Sequence, residues 1–280
     1  MGFLEWAVNP WGLKVPVHIA WFLTWVAVIV GLAFFIVHAA HLRYFAKPRL
    51  FEPEIPPPAP SEVPARVPRH SRLARLFHWV MAAAMLTLLG TGFLPKVGVH
   101  FSWVTYHWIA GTVLIASVLF HVCHASWWLD FWSIWPDRID LRDAYYRVRR
   151  SAGLSAPLPM KFAKYPLENK LYHAAIMVAG LCAIATGVLM MCRVRTIFFR
   201  RNPYLFSDTT WGTVYVLHGL AGVGLISLIM MHIYFGLRTE KRPITRSMIV
   251  GWMNREFYLK EHHRRRWVIA RPMRRTSSPV

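Results

Sequence analysis

The sequence is poor in charge, poorer still in acid, and nearly without cysteine. Asp, Glu, Lys and Arg make up only 16% of its 280 residues, where a soluble domain carries about 25%, so the ordinary soluble enzyme is excluded. Only 13 of the charged residues are acidic against 33 basic, a net charge of +20. Three cysteines, with no C-x-x-C and no C-x-x-C-H spacing, exclude a disulfide framework, a thiolate zinc site and covalent c-type haem attachment. No glycine-rich nucleotide loop is present. What fills the chain instead is apolar: 55% hydrophobic residues and 15% aromatic, which excludes disorder over most of its length.

The basic excess does not describe a nucleic-acid binder, because the charge is not gathered on a polar face. It sits between five long stretches that contain no Asp, Glu, Lys or Arg: Val15–Leu42, Leu76–Pro95, Val97–Leu129, Leu171–Cys192 and Thr209–Leu237. Each reaches the roughly 20 residues that a helix needs to cross the hydrocarbon core. Backbone groups in lipid must be satisfied within the segment, so these are expected to be helices. The first stretch is too long, and its flank too poor in positive charge, for a cleaved signal peptide.

The basic residues set the expected orientation. The segments 43–75, 130–170 and 238–280 hold 27 Lys and Arg, whereas Lys14, Lys96, Arg193, Arg195, Arg200 and Arg201 are the six on the other side. The N-terminus is therefore expected outside and the C-terminus in the cytoplasm. Two readings are open for the four arginines at 193–201: anchors that snorkel to the interface, or a patch for an acidic external partner. Eight prolines between Pro48 and Pro68 read as a semi-rigid spacer. The expected domains are an N-terminal transmembrane helix (1–42), a Pro-rich cytoplasmic linker (43–75), a four-helix core (76–237) and a basic cytoplasmic tail (238–280). The soluble segments are too short to fold a catalytic domain.

Fourteen histidines are present, many of them inside the spans, where ionisable residues are costly and point to function. In the fifth span His218 and His232 are 14 residues apart, almost four whole turns, so both lie on one helix face about 21 Å apart along the axis. One imidazole near each membrane surface is what two haems stacked across a bilayer require. Gly219, Gly222 and Gly224 lie between them, where a missing side chain leaves room for a porphyrin. Depth then selects partners: His78 matches His232 on the cytoplasmic side, and His107 matches His218 on the external side. Neutral imidazole is a good iron ligand whose other ring N–H needs an acceptor.

His121 competes with His78, since it is 14 residues from His107 and near the cytoplasmic level; it either replaces that ligand or lines the pocket. His173 reads as a helix contact or a quinone contact. Arg75 and Arg72, one and two turns ahead of His78, read as partners of haem propionates or as plain positive-inside residues. His18, His38, His41 and His124 are expected at interfaces. The Met230-Met231 pair reads as lipid-facing packing.

These residues carry a resemblance. RLARLFHWVMAAAMLTLLGTGFL is similar to the R-x-x-HW…TG opening of the cytochrome b subunits of membrane-bound formate dehydrogenases. YHWIAG resembles that family's H-R-x-x-G. KYPLENKLYHAAIMVAGLCAIATGVLMM resembles its K-Y-N-x-x-Q-K segment and the apolar run ending in TG. LHGLAGVGLISLIMMHIY matches its paired histidines, and GWMNREFYLKEHHRRRW its G…HH…W tail. The resemblance covers about residues 69–267 and extends to related hydrogenase and b561 cytochromes.

It implies an all-α integral membrane protein: a four-helix dihaem bundle, here with one additional N-terminal helix, in the bacterial inner membrane. It further implies two b haems on His78, His107, His218 and His232. Electrons would arrive from an iron–sulfur or other redox subunit at the external face and reach a menaquinone or ubiquinone near the cytoplasmic haem, with proton uptake on that side. The partner would do the substrate chemistry. Two departures stand out. The family's quinone-side Asn is Pro166 here, and its Gln is Asn169, so Asn169 or His173 would have to serve the quinone. The first helix is also outside the family plan and is expected to replace a membrane anchor otherwise supplied by a partner. The rival functions are a stand-alone b561-type transmembrane reductase and a haem-free scaffold or transporter.

Overall fold

The computed structural model describes residues 2–45, 48–57 and 62–269. Among the described residues the fold is helical, with two small two-stranded ribbons and no closed sheet. Five helices are long and apolar enough to cross a membrane: α1 (Phe22–Tyr44), α2 (Arg72–Phe93), α3 (Trp103–Trp128), α5 (Leu167–Met191) and α6 (Asp208–Leu237). Large apolar side chains such as Ile36, Leu119 and Val178 stand exposed on them, as a lipid-facing surface requires. The chain divides into two compact units.

The first unit contains residues 2–45, 76–131 and 171–238. Its core is built from α2, α3, α5 and α6. Ala84, Met85, Leu114 and Leu225 are buried at its centre, with Met81, Leu88, Val118, Ile176, Ala183 and Ile229 packed around them. The ends of α2 and α6 follow local rules. After α2 the chain makes a single tight turn over Leu94–Val97, stopped by Gly98 at φ 89°, the left-handed conformation that glycine supplies. At the start of α6, Ser207 accepts the Thr210 N–H through its hydroxyl, a serine N-cap.

The first apolar run does not form one helix. Residues Lys14–Ile19 are a strand, β2, paired antiparallel with β1 (Leu4–Val8), and α1 begins only at Phe22. Proline at position 16 has no N–H to give a helix, and Val15, Val17 and Ile19 are β-branched. The hairpin turn is set by Asn9, whose side-chain oxygen accepts the N–H groups of Trp11 and Leu13, and by Gly12 at φ 80°. The ribbon lies on α6. Asn9 Nδ2 donates to Asp208 at 3.0 Å, and a Cβ on Gly212 would stand 1.9 Å from the Pro16 carbonyl oxygen. Further along, α1 packs on α6 through Phe35 stacked on Tyr234 (centroids 4.4 Å apart) and through His38 bonded to the Tyr234 hydroxyl at 2.9 Å. Arg193 is held over Trp211 and Tyr215, at 5.2 and 5.7 Å, as a cation against aromatic faces.

The second unit contains residues 48–57, 62–75, 132–170 and 239–269. The proline linker here does more than tether. Its strand β3 (Arg66–Pro68) pairs with β4 (Trp252–Asn254), and Val63, Val67, Met253, Tyr258 and Trp267 form a buried core of their own. The unit also holds α4 (Arg138–Ser151), α7 (Arg242–Val250) and α8 (Arg255–Glu261). Helix α4 opens on a reciprocal capping box between Asp137 and Asp140. Asp140 is buried and shared by Lys170 (Nζ to Oδ2, 2.6 Å) and Arg266 (Nη2 to Oδ1, 2.7 Å). That ion cluster ties the connection between the third and fourth spans to the tail.

Candidate haem-binding site

Helix α6 presents His218 and His232 four turns apart, as the sequence spacing requires. Opposite His218 stands His107 on α3, with ring centroids 6.1 Å apart and planes at 68°. Opposite His232 stands His78 on α2, at 6.2 Å and 51°. An imidazole-to-metal bond of about 2 Å on each side, plus about 1 Å from each nitrogen to its ring centre, gives a centroid separation of about 6 Å across one metal. Both pairs therefore have the spacing of two histidines ligating one iron from opposite faces, and the residues present fit a b-type haem.

The His107 and His218 rings are oriented in the same way by two threonines. Thr91 Oγ1 donates to the Thr87 carbonyl at 2.7 Å, and Thr186 Oγ1 donates to the Cys182 carbonyl at 2.6 Å. Each hydroxyl has only one proton, so with that proton on a helix carbonyl its oxygen is an acceptor for a histidine protonated on Nδ1. His107 Nδ1 lies 2.8 Å from Thr91 Oγ1, and His218 Nδ1 lies 2.9 Å from Thr186 Oγ1. That tautomer leaves Nε2 of each ring available to a metal. The residue after each threonine is glycine: a Cβ on Gly92 would stand 3.8 Å from His107 Cε1, and one on Gly187 3.3 Å from His218 Cε1. The other pair is framed by aromatic rings instead. Tyr172 stacks on His232 at 5.3 Å, and Trp79 meets His78 edge-on, also at 5.3 Å.

His121 does not face His232. It stacks on Phe77 at 4.5 Å and faces His173 on α5 at 6.4 Å, so His121 and His173 form a third opposed pair. Asn169 precedes His173 by one turn of α5. In the second unit, Arg75 donates through Nη1 to the Ile249 carbonyl, which occupies part of its guanidinium, while Arg72 is exposed in the first turn of α2. His124, expected at an interface, is buried at 5% exposure and stacks on Phe120 and Trp128.

The glycines of α6 need a correction. A Cβ on Gly219 would meet Ile19 Cγ1 at 3.0 Å and one on Gly222 would meet Phe93 Cζ at 3.5 Å, whereas Gly224 has nothing within 4 Å. Gly219 admits the N-terminal ribbon and Gly222 admits a phenyl ring, so only Gly224 leaves open space. The threonines were not singled out from sequence as histidine partners. The signal was present, since a Thr-Gly dipeptide recurs near the same end of α2 and α5, at 91–92 and 186–187.

The family model of prokaryotic cytochrome b561 matches residues 69–251. Over 207 residues the chain is 27% identical to the formate dehydrogenase cytochrome b556(fdo) subunit of Escherichia coli K12, covering 70% of this chain and 90% of that protein. The same figures hold for that subunit from the O6:H1 and O157:H7 strains. Apolar helices that can span a bilayer, opposed histidines between them and a family match over most of the chain converge: this protein belongs to the prokaryotic cytochrome b561 family, as a multi-pass cytochrome b of the bacterial inner membrane that transfers electrons.

Proposed function

We propose that the chain is the dihaem membrane subunit of a respiratory oxidoreductase complex, carrying electrons between an iron–sulfur or other redox subunit and the quinone pool. The observation that carries this reading is the pair of opposed histidine couples, His107/His218 and His78/His232, strung along one helix at the spacing of two bis-imidazole irons. The similarity to formate dehydrogenase cytochrome b subunits supports the kind of complex.

A b-type haem, when bound, supplies a one-electron iron couple. The chain's own residues do the rest. His107 with His218, and His78 with His232, would each hold one haem between two imidazoles and would leave it no position for a substrate. Ala84, Met85, Leu114 and Leu225 keep water out of the layer between the couples. The same residues hold the couples in fixed register, so charge crosses the apolar core without movement of the chain. Quinone chemistry falls to His173 and Asn169 on α5, because proline at position 166 has no side-chain donor. In the orientation set by the basic residues, the His107/His218 couple is external and the His78/His232 couple cytoplasmic. Arg72 serves a propionate of the latter.

Pyridine haemochrome analysis of the purified chain tests the reading. Two b haems per chain are expected, and none would end it. Purification from native membranes should retain an iron–sulfur subunit. A haem-loaded chain that reduces an external acceptor alone would place it instead with stand-alone reductases.

A further inference from the structure

Thr91 and Thr186 stand in mirrored roles. Each lies on a helix that precedes a histidine-bearing helix in the chain, and each hydroxyl sits between its own helix carbonyl and a histidine Nδ1, the nitrogen that carries the ring proton when Nε2 holds iron. A threonine that merely satisfies itself within a helix needs only the bond to the carbonyl four residues back. Here both threonines, within reach of the carbonyls three and four residues back, also bond the two members of one couple. Among the described residues no hydroxyl reaches His78 or His232 in this way; their neighbours are Trp79 and Tyr172. The two couples are therefore built differently.

We propose that Thr91 and Thr186 are positioning residues that hold His107 and His218 as paired Nδ1–H donors and make theirs the lower-potential of the two iron sites, an inference that rests on the two-haem reading above. A ligand imidazole whose N–H is bonded donates more electron density to the metal, which favours the oxidised iron and lowers the potential. With both axial ligands bonded, the effect falls twice on one haem and not on the other. The difference would give electrons a downhill direction, from the threonine-held couple to the aromatic-framed one.

The test uses the full-length chain in detergent or nanodiscs, with optical redox titration and low-temperature EPR of the ferric haems. In Thr91→Val and Thr186→Val, the midpoint absent from His218→Ala should move upward while the other stays. The low-spin ferric signal of the same haem should shift as its ring is released. Thr91→Ser and Thr186→Ser, which keep the acceptor, should restore both values. Loss of that one haem in the valine variants, with serine keeping it at its original midpoint, also supports the assignment. Unmoved midpoints in both valine variants, equal movement of both haems, or failure of serine to restore would overturn it. A wild-type chain without haem would sink the two-haem reading itself, whereas two haems with unaltered valine variants would sink only the role of the threonines.

Discussion

Pro16 and Gly212 touch backbone to backbone. No side chain fits between them, because the first carbon of one would lie 1.9 Å from the Pro16 carbonyl oxygen. The N-terminal ribbon is therefore seated on α6 by a missing side chain. Gly212→Ala should lift the ribbon from α6 while leaving helix content unchanged. Protease cleavage near Asn9 in reconstituted protein, raised several-fold over wild type, checks this; unchanged cleavage counts against it.

The couples predict which haem each substitution removes. His218→Ala and His107→Ala should each remove the same haem, and His232→Ala and His78→Ala the other, leaving one haem per chain in every case. Haem stoichiometry with the optical α-band of the survivor reads this out. A variant that keeps both haems would break the assigned pairing.

His121 faces His173, at 6.4 Å, and stacks on Phe77. Because His78, not His121, stands opposite His232, His121→Ala should leave two haems bound. Reduction by a quinol analogue is expected to slow, because the polar pair at that end of α3 and α5 is broken. Loss of a haem would instead make His121 an iron ligand.

Asp140 carries the ion cluster of the second unit, paired with Lys170 and Arg266, and all three side chains are at most 7% exposed. Asp140→Leu leaves Lys170 a buried cation without this carboxylate, while Arg266 keeps Asp137 at 3.0 Å. Removing one partner of a buried ion pair costs about 3–5 kcal/mol. The second unit should unfold at distinctly lower denaturant concentration, measured by hydrogen exchange at Val67 and Met253.

His262 gives the second unit a pH dependence. Its Nδ1–H donates to the Ala163 carbonyl at 2.7 Å, but burial and the nearby Arg69 guanidinium push its pKa down to about 3. The folded unit thus keeps this imidazole neutral while an unfolded chain takes up a proton near pH 6.5. Stability from this residue is complete above about pH 6.5 and drains away as pH falls toward about 3. Thermal unfolding followed from pH 7 to pH 4 should show the loss, and His262→Asn, which keeps the donor but cannot ionise, should flatten it.

The five helices were legible because absence of charge over more than about 18 residues has few other causes. The histidine couples were legible because a separation of 14 residues is a near-integral number of turns. Three features were hidden by their locality or their distance. The ribbon lay inside an apolar run, so Val15–Ala20 counted toward a span, although Asn9, Gly12 and Pro16 together spell a turn and a strand. The linker's pairing with Trp252–Asn254 joins residues nearly 190 apart, which no periodicity can register. Periodicity placed Gly219 and Gly222 on a helix but could not name what approaches them, and the approaching groups are Ile19 and Phe93.

Helix α6 lends one imidazole to each couple, whereas α2 and α3 lend one apiece. A small roll or slide of α6 would shift both couples in concert, like two strings on one peg, while α2 and α3 can each disturb a single couple. Whatever steadies α6 from its flank, including the ribbon and α1, thereby steadies the entire transfer chain at once.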